Sequence, residues 1–218
     1  MRLVSVNVGL PRDIVWRGKT VKTGIFKAPV NNRVTLRRLN LDGDRQADLA
    51  VHGGADKAVY AYPVEHYAYW RGELPGQELP FGMFGENFTI EGLLEDEAYV
   101  GNRLRIGKAE LVVTQPRLPC YKLGIRFQAD DMAKRFLASG RTGFYLSVVR
   151  EGQVGAGDKL EMILGEGNSV RIPEITRLYV AKRYSGYDVE ILQRAVRAEG
   201  LPEAWRTYLL RRLEKSES

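Results

Sequence analysis

Cys120 is the only cysteine of the 218-residue chain, and its neighbours suit an activated thiol. It follows Pro116 and Pro119, which fix the backbone and remove two hydrogen-bond donors, so a stiff, irregular turn is predicted there. Arg117 and Lys122 flank the sulfur, and nearby cations favour the thiolate, the form that attacks electrophiles or binds soft metals. A lone cysteine is also often a small, inert core residue, and this segment alone favours that alternative.

A histidine beside two glycines forms the second candidate segment, in which His52 precedes Gly53 and Gly54, and Lys57 follows. Paired glycines let backbone N–H groups approach a ligand closely, and a histidine can donate to an anion or transfer a proton. A glycine turn with a structural histidine explains the same residues, and the segment alone favours it slightly. The other histidine, His66, lies in a predicted helix; with one cysteine and no H-x-x-x-H pair, a zinc site is not expected.

Two further polar segments could contact a ligand. Asn87 stands at the start of a predicted strand, where its amide could orient a ligand or satisfy the backbone of a turn. Arg141 and Thr142 follow a predicted helix end, where they could face a phosphate or form only a tight connection. The acidic segment 42–48 lacks the glycine and glutamate of a calcium loop, so calcium binding is not expected.

The composition is that of an ordinary globular protein, 44% hydrophobic and 28% charged. One cysteine excludes a disulfide framework or a four-cysteine iron–sulfur cluster within the chain, and it indicates a reducing compartment. The sequence shows no signal-peptide pattern and no apolar run long enough to cross a bilayer, so a cytoplasmic protein is expected. The net charge of +6 suits anionic partners, although a mixed, solvated surface explains it equally well.

Most of the chain up to residue 163 has the pattern of short strands between glycine-bearing turns, which predicts a mostly β barrel or sandwich. The predicted strands cover residues 2–8, 22–27, 34–41, 87–90, 102–106, 109–114, 144–149 and 159–163. Two inserted helices are predicted, one from near Pro63 through Trp70 and one over 130–139 with Asp130 as its N-cap.

A glycine-rich stretch at 164–169 predicts a linker, after which apolar residues recur at helical spacing. The three apolar faces are Ile175, Leu178 and Tyr179; Ile191, Leu192 and Ala195; and Trp205, Leu209 and Leu213. The sequence therefore predicts a β domain over 1–163 and a three-helix module over 170–218. Acidic residues interrupt any basic face of this module, so a packing or dimerisation role is favoured over DNA reading. No nucleic-acid or membrane partner is expected, and a homodimer stays open.

Taken together, the motifs resemble those of one family. In order along the chain they are G-D-R-Q-A-D-L-A-V-H-G-G, K-A-V-Y-A-Y-P-V-E-H-Y-x-x-W, F-G-E-N-F, Q-P-R-x-P-C-Y-K-L and G-R-T-G-F-Y. This set is similar to that of MOSC domains, named after the C-terminal domain of molybdenum-cofactor sulfurases, in their YiiM-like branch. The motifs span nearly all of residues 1–163, and the remainder resembles the three-helix module that follows MOSC in that branch.

The resemblance implies a closed, mostly antiparallel β-barrel and a molybdenum–pterin cofactor (molybdopterin) in a cleft lined by the cysteine loop. Related proteins reduce N-hydroxylated compounds, such as hydroxylaminopurines and amidoximes, to amines, and the same detoxifying activity is expected here. Since the chain has no second cysteine and no dinucleotide fingerprint, a separate reductase is expected as electron donor. Pyridoxal phosphate is not expected, because the chain is too short to include the domain that binds it in the sulfurases.

Carried onto this chain, the metal ligand is Cys120, whose thiolate is soft like the dithiolene sulfurs of the pterin. Arg117 and Lys122 would lower the pKa of its thiol and contact the anionic part of the cofactor. His52 and Asn87 are candidates for positioning substrate or relaying a proton. Further candidates for binding the cofactor's phosphate are Lys27, Arg33, Lys57, Arg141 and Thr142. The alternative is a non-enzymatic carrier that uses Cys120 to hold the cofactor or sulfur.

Overall fold

The computed structural model describes residues 1–47, 53–163 and 170–216, and these ranges fold around one eight-stranded sheet. The strands are β1 (Arg2–Val8), β2 (Arg12–Trp16), β3 (Lys19–Thr23), β4 (Ala28–Pro29), β5 (Val34–Leu36), β6 (Val59–Pro63), β7 (Phe88–Glu91), β8 (Arg103–Ile106), β9 (Ala109–Pro116), β10 (Phe144–Arg150), β11 (Gly152–Val154) and β12 (Leu160–Ile163). The helices are α1 (Glu65–Glu73), α2 (Tyr121–Phe127), α3 (Met132–Ala138), α4 (Ile172–Val180), α5 (Gly186–Arg197) and α6 (Glu203–Ser216), with a 3₁₀ turn over Ala55–Lys57.

The large sheet has the strand order β12-β8-β9-β10-β6-β7-β1-β4. Its pairs are antiparallel except β6 with β7, which run parallel with Ala61 opposite Phe88. Two smaller ladders, β2 with β3 and β5 with β11, lie outside it. The sequence pattern predicts the mostly β fold with inserted helices correctly, but the parallel pair departs from a fully antiparallel arrangement.

The two ends of the large sheet meet near the N-terminus. Leu3 exchanges two backbone hydrogen bonds with the segment before β12, accepting from Gly157 at 2.7 Å and donating to Asp158 at 2.9 Å. Arg2 and Lys159 form a single antiparallel bridge. Among the described residues no continuous ladder joins β1 to β12, so the closed barrel stays a prediction.

Some predicted elements differ from the observed ones for physical reasons. The strands predicted over 22–27 and 34–41 end early, because the chain turns away from the ladders after β3 and β5. β6 was not predicted: all five of its residues are buried, so it lacks the polar alternation of a half-exposed strand. α2 was also missed, since it has only seven residues and contains a glycine. Asp131, not Asp130, is the N-cap of α3, and Asp130 pairs with Arg17 instead.

The three C-terminal helices are present as predicted, and the predicted linker at 164–169 lies outside the described residues. The apolar faces of α4 and α5 belong to the same buried cluster as the sheet; Ile175 and Ile191 share it with Leu111 and Val113 of β9. The helices are therefore packed onto the sheet through a common core. Within the described part of the chain, no helix is long and apolar enough to span a lipid bilayer.

A second buried cluster is aromatic and surrounds α1. Trp70 stacks on Phe136 with 5.7 Å between ring centroids, and Phe84 lies 4.6 Å from Tyr62. Such pairs contribute roughly 0.5–1.5 kcal/mol each beyond the area they bury. This cluster supports the loops that lead to the cysteine segment, because α3, which carries Phe136, follows α2 directly.

The N-terminus of α5 is held by an ionised carboxylate. Asp188 is 3% exposed, and it accepts hydrogen bonds from the Ser185 backbone at 2.9 Å and from Arg177 Nε at 2.6 Å. The hydrogen bond from Arg177, followed by that from Ser185, holds the pKa of Asp188 well below its ordinary value. A carboxylate with a depressed pKa stabilises the fold above its unfolded pKa, near 4, and loses that contribution as the pH falls below it.

We therefore expect Asp188→Asn to lower the free energy of unfolding by about 1 kcal/mol at pH 7, the usual size of a lost cap. The difference from the wild type should shrink between pH 5 and pH 3, as the unfolded chain takes up the proton. Urea denaturation at both ends of this range measures it, with Glu190→Gln on the exposed face of α5 as the control. A difference that stays constant with pH would show that the charge of Asp188 does not matter.

Candidate functional site

A cleft of about 670 Å³, part of it open to solvent, lies where β6, β10 and the segment between β9 and α2 meet. Seven side chains that carry a charge or a thiol line it: Lys27, Asp44, Arg45, Lys57, Arg117, Cys120 and Lys122. Five of these are cations and one is a carboxylate, so the lining carries an excess of positive charge. Five of the seven, all but Asp44 and Arg45, were predicted as site residues from the sequence.

Cys120 occupies the junction between a strand and a helix. β9 ends at Pro116, three irregular residues follow, and Cys120 is the extended N-cap of α2, whose Leu123 N–H donates to its carbonyl at 3.0 Å. The predicted irregular turn is therefore present, but it leads directly into a helix that was not predicted. The thiol is half-buried and faces the cleft from this junction.

Gly143 fixes the backbone that precedes Cys120. Its carbonyl accepts from Arg117 N–H at 3.2 Å, and its own N–H donates to Glu95 at 2.6 Å. It has φ +66°, and a Cβ there would lie 2.4 Å from the Ala61 carbonyl, so no larger side chain fits without displacing β6. The glycine of the G-R-T-G motif therefore acts on the site through its backbone.

The guanidinium of Arg117 is buried in an aromatic cage. The side chain is 5% exposed and lies 5.4 Å from the Tyr60 ring centroid and 5.2 Å from that of Phe136. Within the described part of the protein, its Nη1 is buried with no hydrogen-bond partner. An unpaired buried polar group is costly, and more so when it is charged, so this atom indicates an anionic ligand in the cleft.

Lys27, Asp44 and Asn87 form a buried network on another wall of the cleft. Lys27 Nζ pairs with Asp44, which also accepts from Asn87 Nδ2 and from Gly9 N, both at 2.9 Å. The other amide atom of Asn87 accepts from Tyr60 N at 3.1 Å. Burial lowers the pKa of Lys27, opposed by the charge of Asp44. These partners already satisfy Asn87, so its action on substrate stays a prediction.

Glu86, beside Asn87 in the F-G-E-N-F motif, has a structural role, because its oxygens accept hydrogen bonds from the surrounding protein. It is fully buried and accepts from Tyr67 Oη, from Gly82 N at 2.8 Å, from Phe84 N at 3.1 Å and from Thr89 Oγ1 at 3.1 Å. Burial raises its pKa against these hydrogen bonds. Its bonds fold the loop before β7 and so place Asn87.

Three predicted phosphate-binding residues do not line the cleft. Arg33 is an exposed residue that forms a two-pronged pair with Asp158, both bonds at 2.8 Å. Arg141 lies 4.1 Å over the Tyr69 ring, and Thr142 is buried, with its carbonyl accepting from Tyr60. These three residues do not line this cleft, and their roles as cofactor ligands stay predictions. His52 lies outside the described residues.

Asp44 and Tyr145 are among the lining residues that the sequence analysis missed, although each belongs to a quoted motif. Tyr145 lines the cleft together with Arg117 and Cys120. Burial raises the pKa of Tyr145, the charge of Arg117 opposes this, and the charge of Cys120 adds to it. The signal available in the sequence was the tyrosine that ends G-R-T-G-F-Y. Nothing in residue type distinguished it from the other tyrosines of the core.

A metal site made by protein side chains alone is not found in the ranges that the structure describes, since no group of three or more histidine, cysteine, aspartate and glutamate residues gathers there. Cys120 contributes a thiol to the lining of the cleft.

The family model for the MOSC domain matches residues 48–161, and the model for the YiiM-like, 3-alpha helix domain matches residues 184–216. The chain therefore belongs to the MOSC-domain family, in its YiiM-like branch.

Relatives and solved structures agree with this assignment. Uncharacterized protein YflK of Bacillus subtilis (strain 168) is 38% identical over 215 residues, 98% of this chain and 95% of YflK. Protein YiiM of Escherichia coli (strain K12) is 38% identical over 196 residues, 88% of this chain and 85% of YiiM. The crystal structure of YiiM from Geobacillus stearothermophilus has a TM-score of 0.79 at 31% identity, and the match covers 97% of this chain and 98% of that one.

A protein named reductase from Gibberella moniliformis (strain M3125 / FGSC 7600) is 30% identical over 149 residues. The match covers 67% of this chain but only 26% of that larger protein.

Variants of the buried ion pair between Lys27 and Asp44 test how the wall of the cleft is stabilised. We expect Lys27→Met and Asp44→Leu each to lower the free energy of unfolding by about 3 kcal/mol, because each leaves a buried charge without its partner. The double variant should be more stable than the sum of the two losses implies. Denaturant unfolding of all three measures the coupling, with Asp42→Asn, which breaks the exposed pair with Arg37, as a control expected to lose under about 1 kcal/mol. Additive losses would contradict the pairing.

Proposed function

We propose that this protein is a molybdenum-cofactor-dependent oxidoreductase that reduces N-hydroxylated compounds, such as hydroxylaminopurines and amidoximes, to amines. The observation that carries the proposal is the buried Nη1 of Arg117, which has no hydrogen-bond partner among the described residues and lies in the same cleft as the thiol of Cys120. Membership of the MOSC family and similarity to a protein named reductase support an oxidoreductase.

The residues of the cleft fit a molybdenum–pterin cofactor. Such a cofactor is anionic through its phosphate, and Arg117, Lys57 and Lys122 supply cations in one cleft. Its soft metal takes a thiolate, which Cys120 provides beside the dithiolene sulfurs of the pterin. Burial lowers the pKa of Lys57, partly offset by Asp56. Lys27 also lines the cleft, where it pairs with Asp44.

When bound, the cofactor supplies a metal that accepts the oxygen of an N–OH group and is restored by two electrons. The overall reaction is R–NHOH + 2 e⁻ + 2 H⁺ → R–NH₂ + H₂O. In this scheme Cys120 holds the metal and Arg117 holds the anionic part of the cofactor. Tyr145 lines the cleft beside both, and its hydroxyl can donate a hydrogen bond to a substrate oxygen.

Several parts of the proposal extend beyond the site. The electrons are proposed to come from a separate reductase, and the single cysteine supports a cytoplasmic location. The β1 and β12 strands are proposed to close the sheet into a barrel, supported by the backbone bonds between residues 1–3 and 157–160. Residues 1–163 and 170–218 are proposed as the two domains.

Replacing the thiol is the direct test. Cys120→Ala should lose most of its molybdenum when produced in a host that makes the cofactor, since the thiolate is the protein's ligand to the metal. The rate of hydroxylaminopurine reduction with a dithionite-reduced dye should fall by more than about 100-fold. Loss of a group that only hydrogen-bonds to a metal ligand already lowers metal affinity or activity by roughly 10–100-fold. Molybdenum analysis and amine formation measure the two effects.

Arg105→Gln provides the matched control, because Arg105 is a half-exposed residue of β8 that pairs with Glu110 away from the cleft. It should keep both metal and activity. Full metal content and activity in Cys120→Ala would overturn the proposal. Metal bound by the wild type without any turnover would instead favour a cofactor carrier.

A further inference from the structure

A second cleft adjoins the first and reaches the C-terminal helices. It shares Lys57, Leu118, Cys120 and Tyr145 with the first cleft and has a volume of about 1280 Å³, part of it open solvent. The cysteine segment therefore separates two spaces. One is the basic cleft proposed to hold the cofactor, and the other lies toward the C-terminal helices.

The far wall of the second cleft is aromatic. Tyr179 of α4 and Trp205 and Tyr208 of α6 line it. Their rings contact one another at right-angled or tilted geometry, with centroids 5.8–6.1 Å apart. Tyr179 is 41% exposed, and Trp205 and Tyr208 are half-buried, so the wall is accessible to a ligand.

The orientation of the tryptophan is fixed by the strand that leads to the cysteine. Trp205 Nε1 donates to Gln115 Oε1 at 2.5 Å, and Gln115 Nε2 donates to the Asp56 carbonyl at 3.3 Å. Gln115 is 3% exposed and belongs to β9, five residues before Cys120. A rotation of the indole would leave the buried amide oxygen without its donor, so the wall is held in a fixed position relative to the thiol.

We propose that this second cleft is the substrate pocket, in which Trp205 and Tyr208 hold the planar aromatic ring of an N-hydroxylated compound beside Cys120. The inference rests on the proposed function and adds to it a role for the C-terminal module, which supplies the specificity-determining wall. Aromatic side chains bind flat rings through face and edge contacts, whereas the cationic groups of the first cleft suit an anion. The N–OH group then lies toward the Cys120 segment and is reduced by the balanced reaction given above, with electrons from the reductase.

The test compares binding and turnover of an aromatic and a non-aromatic substrate by the molybdenum-loaded protein. Trp205→Ala should weaken binding of hydroxylaminopurine by about ten-fold or more, as measured by calorimetry, since ring stacking is lost. The KM of hydroxylaminopurine should rise similarly, while kcat/KM for acetamidoxime, which has no ring, should change less than about two-fold. Molybdenum content should equal that of the wild type, because Trp205 does not line the cofactor cleft.

Two further variants keep the test decisive if Trp205→Ala is poorly folded. Trp205→Phe retains a stacking ring and should keep most of the affinity for hydroxylaminopurine. Tyr208→Ala should lose affinity while the hydrogen bond between Trp205 and Gln115 is kept. Tyr187→Ala, an exposed tyrosine of α5 outside the cleft, should bind as the wild type does.

The outcomes separate this inference from the proposed function. Unchanged binding and KM for hydroxylaminopurine in folded, active Trp205→Ala and Tyr208→Ala would overturn the pocket and leave the reductase assignment standing. Dissociation of a dimer in these variants with unchanged ring binding would also overturn it, and would assign the aromatic wall to an interface. Ring binding by a wild type that holds no molybdenum would support the pocket and contradict the reductase.

Discussion

Among the residues that the structure describes, the buried guanidinium of Arg117 has no carboxylate partner, and the site depends on this constraint. Arg117 is enclosed by Tyr60 and Phe136, and the buried acids nearby are already engaged. Asp44 pairs with Lys27, and Glu86 accepts from Tyr67 and two backbone amides. Glu95 bonds to His66 and accepts from the Gly143 N–H. Since these acids have their own partners, the guanidinium of Arg117 is available to an anionic ligand.

Residues far from Arg117 in sequence hold the backbone of Arg117 in place. Glu95 bonds to His66 Nε2 at 2.8 Å and to the Gly143 N–H at 2.6 Å, so it joins α1 to the turn that precedes β10. The same turn accepts the N–H of Arg117. The C-terminal helices share the core of the sheet, which gives the aromatic wall a fixed relation to the cysteine segment. The tertiary packing around β9 and β10 therefore determines the positions of the residues that line both clefts.

Local sequence patterns could predict part of this arrangement. The apolar spacing of α4 and α5, the alternation in β1 and the basic flanks of Cys120 are local properties, so they are visible in a short window. The buried strand β6 lacks such alternation and was missed. Arg33 was expected to bind phosphate because it is a basic residue, but its partner Asp158 is 125 residues away. Whether a cation is neutralised by a distant acid is decided only in the folded chain, and this is why Arg33 and Arg117 could not be distinguished from sequence.

The most direct measurement is cofactor retention by variants of Arg117. The purified wild type, Arg117→Gln and Arg117→Lys would be dialysed, and the remaining pterin would be quantified by its fluorescence after oxidation. If the buried guanidinium binds the anionic part of the cofactor, both variants should retain it about ten-fold or more weakly, the effect of one lost hydrogen bond to a charged group, and lysine should not rescue because it lacks the planar fork. Equal retention by wild type, Arg117→Gln and the surface variant Arg105→Gln would contradict the assignment of this cleft to the cofactor.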